Sequence, residues 1–261
     1  MITPDRGTFL LNRYMYQEAI QNYLSKNNLS KIDLKAVLFD MDGVLFDSMP
    51  AHAVAWSQAI REQGLIFTEE EGYLHEGRTG KGTINIIFKR AFNREATPEE
   101  LKRIYKRKTE LFEGQPEAPV MPGAQELLKQ VQNNNLQRIL VTGSGQEALL
   151  SKLNRFFPEQ FTPAKMVTAY DVTKGKPNPE PYLQGLCKAG VQSYEAIVVE
   201  NAPLGVEAAK AAGIFTIAVN TGKLSDHYLL DAGADLLFHG MPALNEAWID
   251  IYNALNSIRS T

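Results

Sequence analysis

Asp40 and Asp42 stand two residues apart at the end of an apolar run, Ala36-Val-Leu-Phe39, and just before Gly43. Two carboxylates brought together out of water repel, and a shared proton or a bound cation relieves the repulsion. A carboxylate with an ordinary pKa of ~4 is ionised at neutral pH and can act as a nucleophile, while its neighbour can carry a proton for a leaving group. The bland alternative is that both acids cap a turn or the next helix. The run before them reads as a buried strand ended by a turn signal, as a central strand of a parallel sheet does. In open α/β sheets, ligands bind beyond the carboxyl ends of such strands. If the strand continues through Met41 the two acids share a face; if the chain coils there, which Gly43 makes easy, they converge differently.

Further along, polar residues again follow apolar runs. Gln137 to Thr142 reads as a strand ending in a hydroxyl, and Ser144 with Glu147 has the spacing of a capping box. Lys174 and Lys176 precede Pro177, Pro179 and Pro181, three alternate prolines that predict an extended, stiff segment able to fix a lysine's direction. Glu195 to Glu200 reads as a strand, followed by Asn201 and a helix up to Gly213, with Pro203 in its first turn. Asn201 is either a helix cap or a donor of its amide oxygen to a hard cation. Between predicted helices, Gly77-Arg78-Thr79-Gly80-Lys81-Gly82-Thr83 combines two cations, two hydroxyls and three glycines, which suits an anion or else a flexible connection with solvated charges.

These residues need a scaffold, and the periodicity supplies one. Before residue 34, Leu11, Met15, Ala19 and Tyr23, with Ile20 and Leu24, fall near helical spacing and predict one amphipathic helix. That arm could pack on the core, pair with another subunit or stay partly disordered; packing on the core is the reading taken. Helices are expected near 51–63, 69–76, 83–92 and 98–114, the last opened by the capping box Thr97-Pro98-Glu-Glu100. A helix over 123–135, a strand over 215–219, a short strand over 236–239 and a closing helix over 243–258 complete the pattern.

Asp-Met-Asp-Gly-Val after an apolar strand resembles the first motif of the haloacid dehalogenase superfamily, in its phosphatase and β-phosphoglucomutase-like branch. The resemblance spans about residues 35–255. It implies an α/β fold: a Rossmann-like parallel-sheet core, residues 34–48 and 120–261, with a small α-helical cap, residues 49–119, inserted after the first strand, and 1–33 as a helical extension. It implies Asp40 as the nucleophile that takes up a phosphoryl group and Asp42 as the general acid/base. Thr142 matches the second motif, with Gly143 beside it at a substrate-binding position, and Lys176 matches the third, with Lys174 as its competitor and Asp171 behind. His52 lies where relatives carry a histidine near the acid/base, and Arg78 and Lys81 are the cap's candidates for gripping substrate.

The resemblance further implies Mg²⁺, held by Asp40, the backbone carbonyl of Asp42, and Glu200 or Asn201. Here the chain departs from the family, whose fourth motif usually carries two acids where this one has Glu200 and a neutral Asn201. Mutases of the family place basic residues in the cap loop and just after the second motif, where this chain has Gly80 and Gly145, with Arg78 and Lys81 displaced nearby. A phosphatase acting on a small phosphorylated metabolite is therefore put first, a β-phosphoglucomutase-like isomerase second and an inorganic pyrophosphatase third, with a non-catalytic binding module last.

The composition agrees with an ordinary globular protein. Of 261 residues, 44% are hydrophobic and 22% charged, enough for one large α/β domain or a core plus an insert. A net charge of −3 gives no reason to expect nucleic acid or a bilayer as partner. No window approaches the roughly 18 apolar residues of a membrane span. Cys187, the single cysteine, excludes an intrachain disulfide and reads as a buried helical thiol. The expectation is a cytoplasmic protein, monomeric or weakly self-associating.

Overall fold

The computed structural model describes residues 6–145 and 149–257. In chain order, α1 (Arg6–Lys26) leads into β1 (Ala36–Phe39), and four helices follow: α2 (Met49–Arg61), α3 (Glu69–Leu74), α4 (Gly80–Phe92) and α5 (Pro98–Glu113). Then come α6 (Ala124–Asn133), β2 (Gln137–Val141), α7 (Leu149–Phe156), β3 (Met166–Val167), α8 (Glu180–Ala189), β4 (Ala196–Glu200), α9 (Pro203–Ala211), β5 (Phe215–Val219), α10 (His227–Asp231), β6 (Leu236–Phe238) and α11 (Met241–Ser257). The six strands form one parallel sheet in the order β3-β2-β1-β4-β5-β6. The chain is an α/β protein with helices on both faces of this sheet.

The central position of β1 follows from its residues. All four are buried, and alternate side chains enter opposite layers. Val37 and Phe39 join the core beneath α1, α6 and α11, while Ala36 and Leu38 join the core beneath α8 and α9. The register pairs Phe39 with Leu140 on one side and Val199 on the other, so the next residues out, Asp40, Val141 and Glu200, stand level at the carboxyl edge. After Phe39 the chain coils. Leu45 N–H donates to Met41 C=O at 2.8 Å, and Gly43 turns at φ 84°, a left-handed conformation that glycine adopts without steric cost.

The inserted helices carry a core of their own, in which Ile60, Phe67, Ile84, Ile87, Phe88 and Ile104 are buried together. The expected Thr97–Glu100 capping box opens α5, and a second one, Thr68–Glu71, opens α3. α4 begins at Gly80, capped by the Thr79 hydroxyl, three residues earlier than predicted.

Other details differ from expectation. The proline segment is not extended throughout: Asn178 N–H closes a turn on Gly175 C=O at 3.1 Å, Pro179 caps α8 and Pro181 lies in its first turn, where a missing N–H leaves no hydrogen bond unmade. Cys187 is exposed, because α8 buries the face of Tyr182, Gly185, Leu186 and Ala189 instead. α1 packs on the core through Tyr16, Ile20, Tyr23 and Leu24, with the Tyr23 hydroxyl donating to Gly213 C=O at 2.7 Å. Its buried stripe is rotated from the predicted one, so Met15 is 48% exposed; the side chain of Leu11 lies outside the described residues, as do Ile258 and the Ser144–Glu147 box, through Glu147. Among the described residues, no helix is long and apolar enough to cross a membrane.

Candidate active site

Asp40 follows β1 directly, its N–H donating to Val199 C=O at 3.0 Å, and its side chain is buried. Lys176, only 2% exposed, reaches it from the turn before α8. Its ammonium donates to Asp40 Oδ1 at 2.5 Å and to Glu200 Oε1. Burial opposes the charge on Lys176, but Asp40 and Glu200 outweigh it and hold the lysine protonated far above its ordinary range. For Asp40 burial prevails: with repulsion from Glu200 and Asp42 it pushes the carboxyl up, against the pull of Lys176. Thr142, just past β2, is buried, and its hydroxyl oxygen accepts from Ser144 N–H at 3.0 Å, which leaves its proton for another acceptor.

Asp42 has a different neighbourhood. Ser48 Oγ donates to its Oδ1 at 2.5 Å, and His52 Nε2 lies 3.3 Å from the same oxygen. Behind His52 stands Lys108, whose Nζ is 2.8 Å from His52 Nδ1. An ammonium only donates, so Nδ1 accepts and the imidazole proton sits on Nε2, facing Asp42. Phe112 stacks on the imidazole with ring centroids 4.1 Å apart, and Lys108 lies over both Phe112 and Trp56. Burial pushes Asp42 up, yet His52, Ser48 and Lys108 together outweigh it and hold the carboxyl at about 2. Burial and Lys108 lower His52, and burial lowers Lys108 to about 8. The expected role for Asp42 begins with a proton in hand; these neighbours favour its ionised form, and the charge of a bound anion would raise it.

The cap loop splits the two candidate cations. Arg78 lines the cavity with Gly143 and Ser144, and its buried Nε has no hydrogen-bond partner. Lys81 is exposed on the first turn of α4 and does not line the cavity, which corrects its expected role: the helix starts early and turns residue 81 outward.

Two residues that sequence reasoning passed over complete the site. Lys108 falls in the helical register of Leu101 and Ile104, and a lysine in an apolar stripe is the signal that would have found it. Glu76, at the end of the α3 turn, accepts from Asn201 Nδ2 through both carboxylate oxygens at 3.0 Å each. Burial, then repulsion from Asp40 and Glu200, raises Glu76 well above the carboxylate range. Its position one residue before Gly77-Arg78 was visible, but nothing in the sequence brings it to the edge of the sheet.

The donor set suits a hard cation. Asn201 Oδ1 is buried without a partner, and the amide lies so close to Gly43 that any Cβ there would overlap it. Glu200, one of the expected ligands, has both oxygens engaged by protein donors. Its Oε1 takes Lys176 and the Tyr182 hydroxyl, and its Oε2 takes the N–H groups of Asn201 and Ala202, so it anchors Lys176. Among the described residues no three His, Cys, Asp or Glu side chains converge as a metal cluster. What remains is all oxygen: Asp40, Glu76, Asn201 Oδ1 and the Asp42 carbonyl, the ligand chemistry that Mg²⁺ accepts. Four carboxylates, Asp40, Asp42, Glu76 and Glu200, here lie against two lysines, and a divalent cation would offset the excess charge.

The sequence profile described as haloacid dehalogenase-like hydrolase matches residues 37–219, which carry these groups. The chain belongs to this family. It is similar to a phosphorylated carbohydrates phosphatase of Thermotoga maritima, at 31% identity over 217 residues, 81% of this chain and 97% of the relative. Hexitol phosphatase A of Escherichia coli is 33% identical over 187 residues, 71% of this chain and 83% of that one. Among solved structures, a putative β-phosphoglucomutase from Bacteroides vulgatus superposes with a TM-score of 0.91 at 54% identity, covering 94% of this chain and 100% of that one. This haloacid dehalogenase-like protein is thus an enzyme of the phosphatase or phosphomutase type.

Proposed function

We propose that the enzyme is an Mg²⁺-dependent phosphatase that hydrolyses a small phosphorylated metabolite, such as a sugar phosphate, through a phosphorylated Asp40. Asp40 attacks phosphorus, the bond to the leaving oxygen breaks, and Asp42 supplies that oxygen with a proton. Water then attacks the aspartyl-phosphate, returns a proton to Asp42 and releases inorganic phosphate with Asp40 restored. Lys176 offsets charge on Asp40, Thr142 donates to the phosphoryl oxygens, and His52, held by Lys108, orients Asp42. Mg²⁺, held by Asp40, the Asp42 carbonyl, Asn201 and Glu76, would neutralise charge on the transferring group.

One observation favours hydrolysis over isomerisation. A mutase must grip a second phosphate, and the resemblance places the gripping side chains at positions 80 and 145. Here a Cβ at Gly80 would overlap the Tyr105 ring, and one at Gly145 would lie 3.2 Å from Tyr170 Cζ. The Tyr105 ring fills the space a side chain at position 80 would need, while the exposed Tyr170 only crowds position 145. The relatives named phosphatases support the same reading. The isomerase stays second on the strength of the structural relative named a putative β-phosphoglucomutase.

Purified protein with Mg²⁺, offered sugar phosphates, pyrophosphate and β-glucose 1-phosphate with and without a bisphosphate primer, separates the readings. Phosphate release from a sugar phosphate, abolished by a chelator, is the expected result; primer-dependent glucose 6-phosphate formation without phosphate release would replace it with the isomerase.

The proton on the leaving oxygen gives a sharper test. Asp42→Asn should slow alkyl phosphates by about 10²–10⁴-fold, the usual worth of general acid catalysis, and aryl phosphates far less, because their leaving oxygen scarcely needs protonation. Equal losses on both would remove Asp42 from the acid role.

A further inference from the structure

Tyr105 lies on α5 three residues before Lys108, so the same side of the helix that sends a lysine to His52 also faces the cap loop. Its ring rests where a side chain at position 80 would be, and Gly80 is the residue that permits this seat. Trp56 backs it, with ring centroids 6.4 Å apart. Both rings line the cavity that contains Asp40 and Asp42. That cavity measures about 70 Å³, small beside the ~300–1,000 Å³ of sites that take drug-sized ligands. Its core side holds Asp40, Asp42, Gly143 and Ser144; its cap side is lined by Trp56, Phe67 and Tyr105 together with His75, Arg78 and Lys108. On the phosphatase reading, the leaving group of a phosphate ester placed at Asp40 would extend into this cap side.

We propose that Tyr105 is the specificity-determining residue of this enzyme: seated on Gly80, its ring closes the cap side of the cavity and restricts the leaving group to a compact one, a short-chain alcohol or sugar in preference to a hexose. This rests on the phosphatase reading for the identity of the ligand. The size limit itself is a property of the ring and its seat.

The test therefore measures binding as well as turnover. In an Asp40→Asn background, calorimetry with glycerol 3-phosphate and glucose 6-phosphate gives the affinity ratio with and without Tyr105→Ala. Removing the ring should shift that ratio towards glucose 6-phosphate by about tenfold or more, the scale on which pocket size discriminates, and Tyr105→Phe should leave it in place. Gly80→Ala should weaken both ligands when Tyr105 is present and be tolerated when residue 105 is alanine, a coupling that general destabilisation does not produce. An unchanged ratio in Tyr105→Ala, or equal effects of Gly80→Ala in both backgrounds, overturns the assignment. Wild-type turnover is scored separately: if no phosphate ester is hydrolysed the phosphatase reading falls, while the affinity ratio still decides the role of Tyr105.

Discussion

Asp40→Asn should abolish turnover, by a factor on the order of 10⁴–10⁶, the range seen when a covalent nucleophile is removed. An amide is nearly isosteric with the carboxylate but cannot form the acyl phosphate. The fold should survive the change. Lys176 keeps Glu200 as a partner, and the substitution removes one of the negative charges that repel one another at the sheet edge. The measurement pairs a turnover assay with intact-mass detection of a phosphorylated protein after rapid quenching. Wild type should show the phosphorylated species and the variant none, with thermal melting alike. An Asn variant that still turns over substrate would move the nucleophile elsewhere, with Asp42 the carboxylate to examine.

How far this site was readable from sequence depends on how local each signal is. The strand before Asp40, and Thr142 and Glu200 at neighbouring strand ends, all follow from short apolar runs, because a parallel sheet sets equivalent ends level, whereas the coil at Met41 was one of two open alternatives. The lysine before the prolines was found by its motif, although the prolines themselves were read too uniformly. Period and composition cannot distinguish a proline in an extended chain from one in the first turn of a helix. Glu76 and Lys108 were lost for another reason. Both belong to the inserted helices, and their meaning depends on how those helices sit over the sheet, a long-range packing outcome that no window of sequence contains. The same limit explains Lys81. Because α4 begins at Gly80 and not near 83, Lys81 falls on its exposed first turn, while Arg78, in the loop before it, lines the cavity. Glu200 shows the converse limit: a family ligand position was assigned, while the buried lysine and tyrosine that bond its oxygen were not visible.

Lys176→Met should cost the most stability of any single change in the site. Its ammonium is the group that donates to both Asp40 and Glu200, and all three side chains are at most 5% exposed. Replacing it with an apolar side chain of similar length preserves the packing volume but leaves two carboxylates facing each other out of water. Breaking a buried pair by removing one partner typically costs about 3–5 kcal/mol. The chain can reduce that cost by protonating Asp40, whose carboxyl is already raised by burial and by Glu200 and which loses the pull of Lys176. A carboxyl whose folded pKa lies above its unfolded value binds more protons in the folded state, so stability falls as pH rises. In wild type the Asp40 carboxyl is already pushed up to about 8, so below this pH both proteins lose stability alike, and the deficit of Lys176→Met relative to wild type should grow as the pH rises through about 8. Urea denaturation of both proteins at pH 6 and pH 9 measures this directly. A deficit that is small and the same at both pH values would mean that Asp40 and Glu200 are not held together out of water, and the charge arrangement on which phosphoryl transfer to Asp40 depends would have to be redrawn.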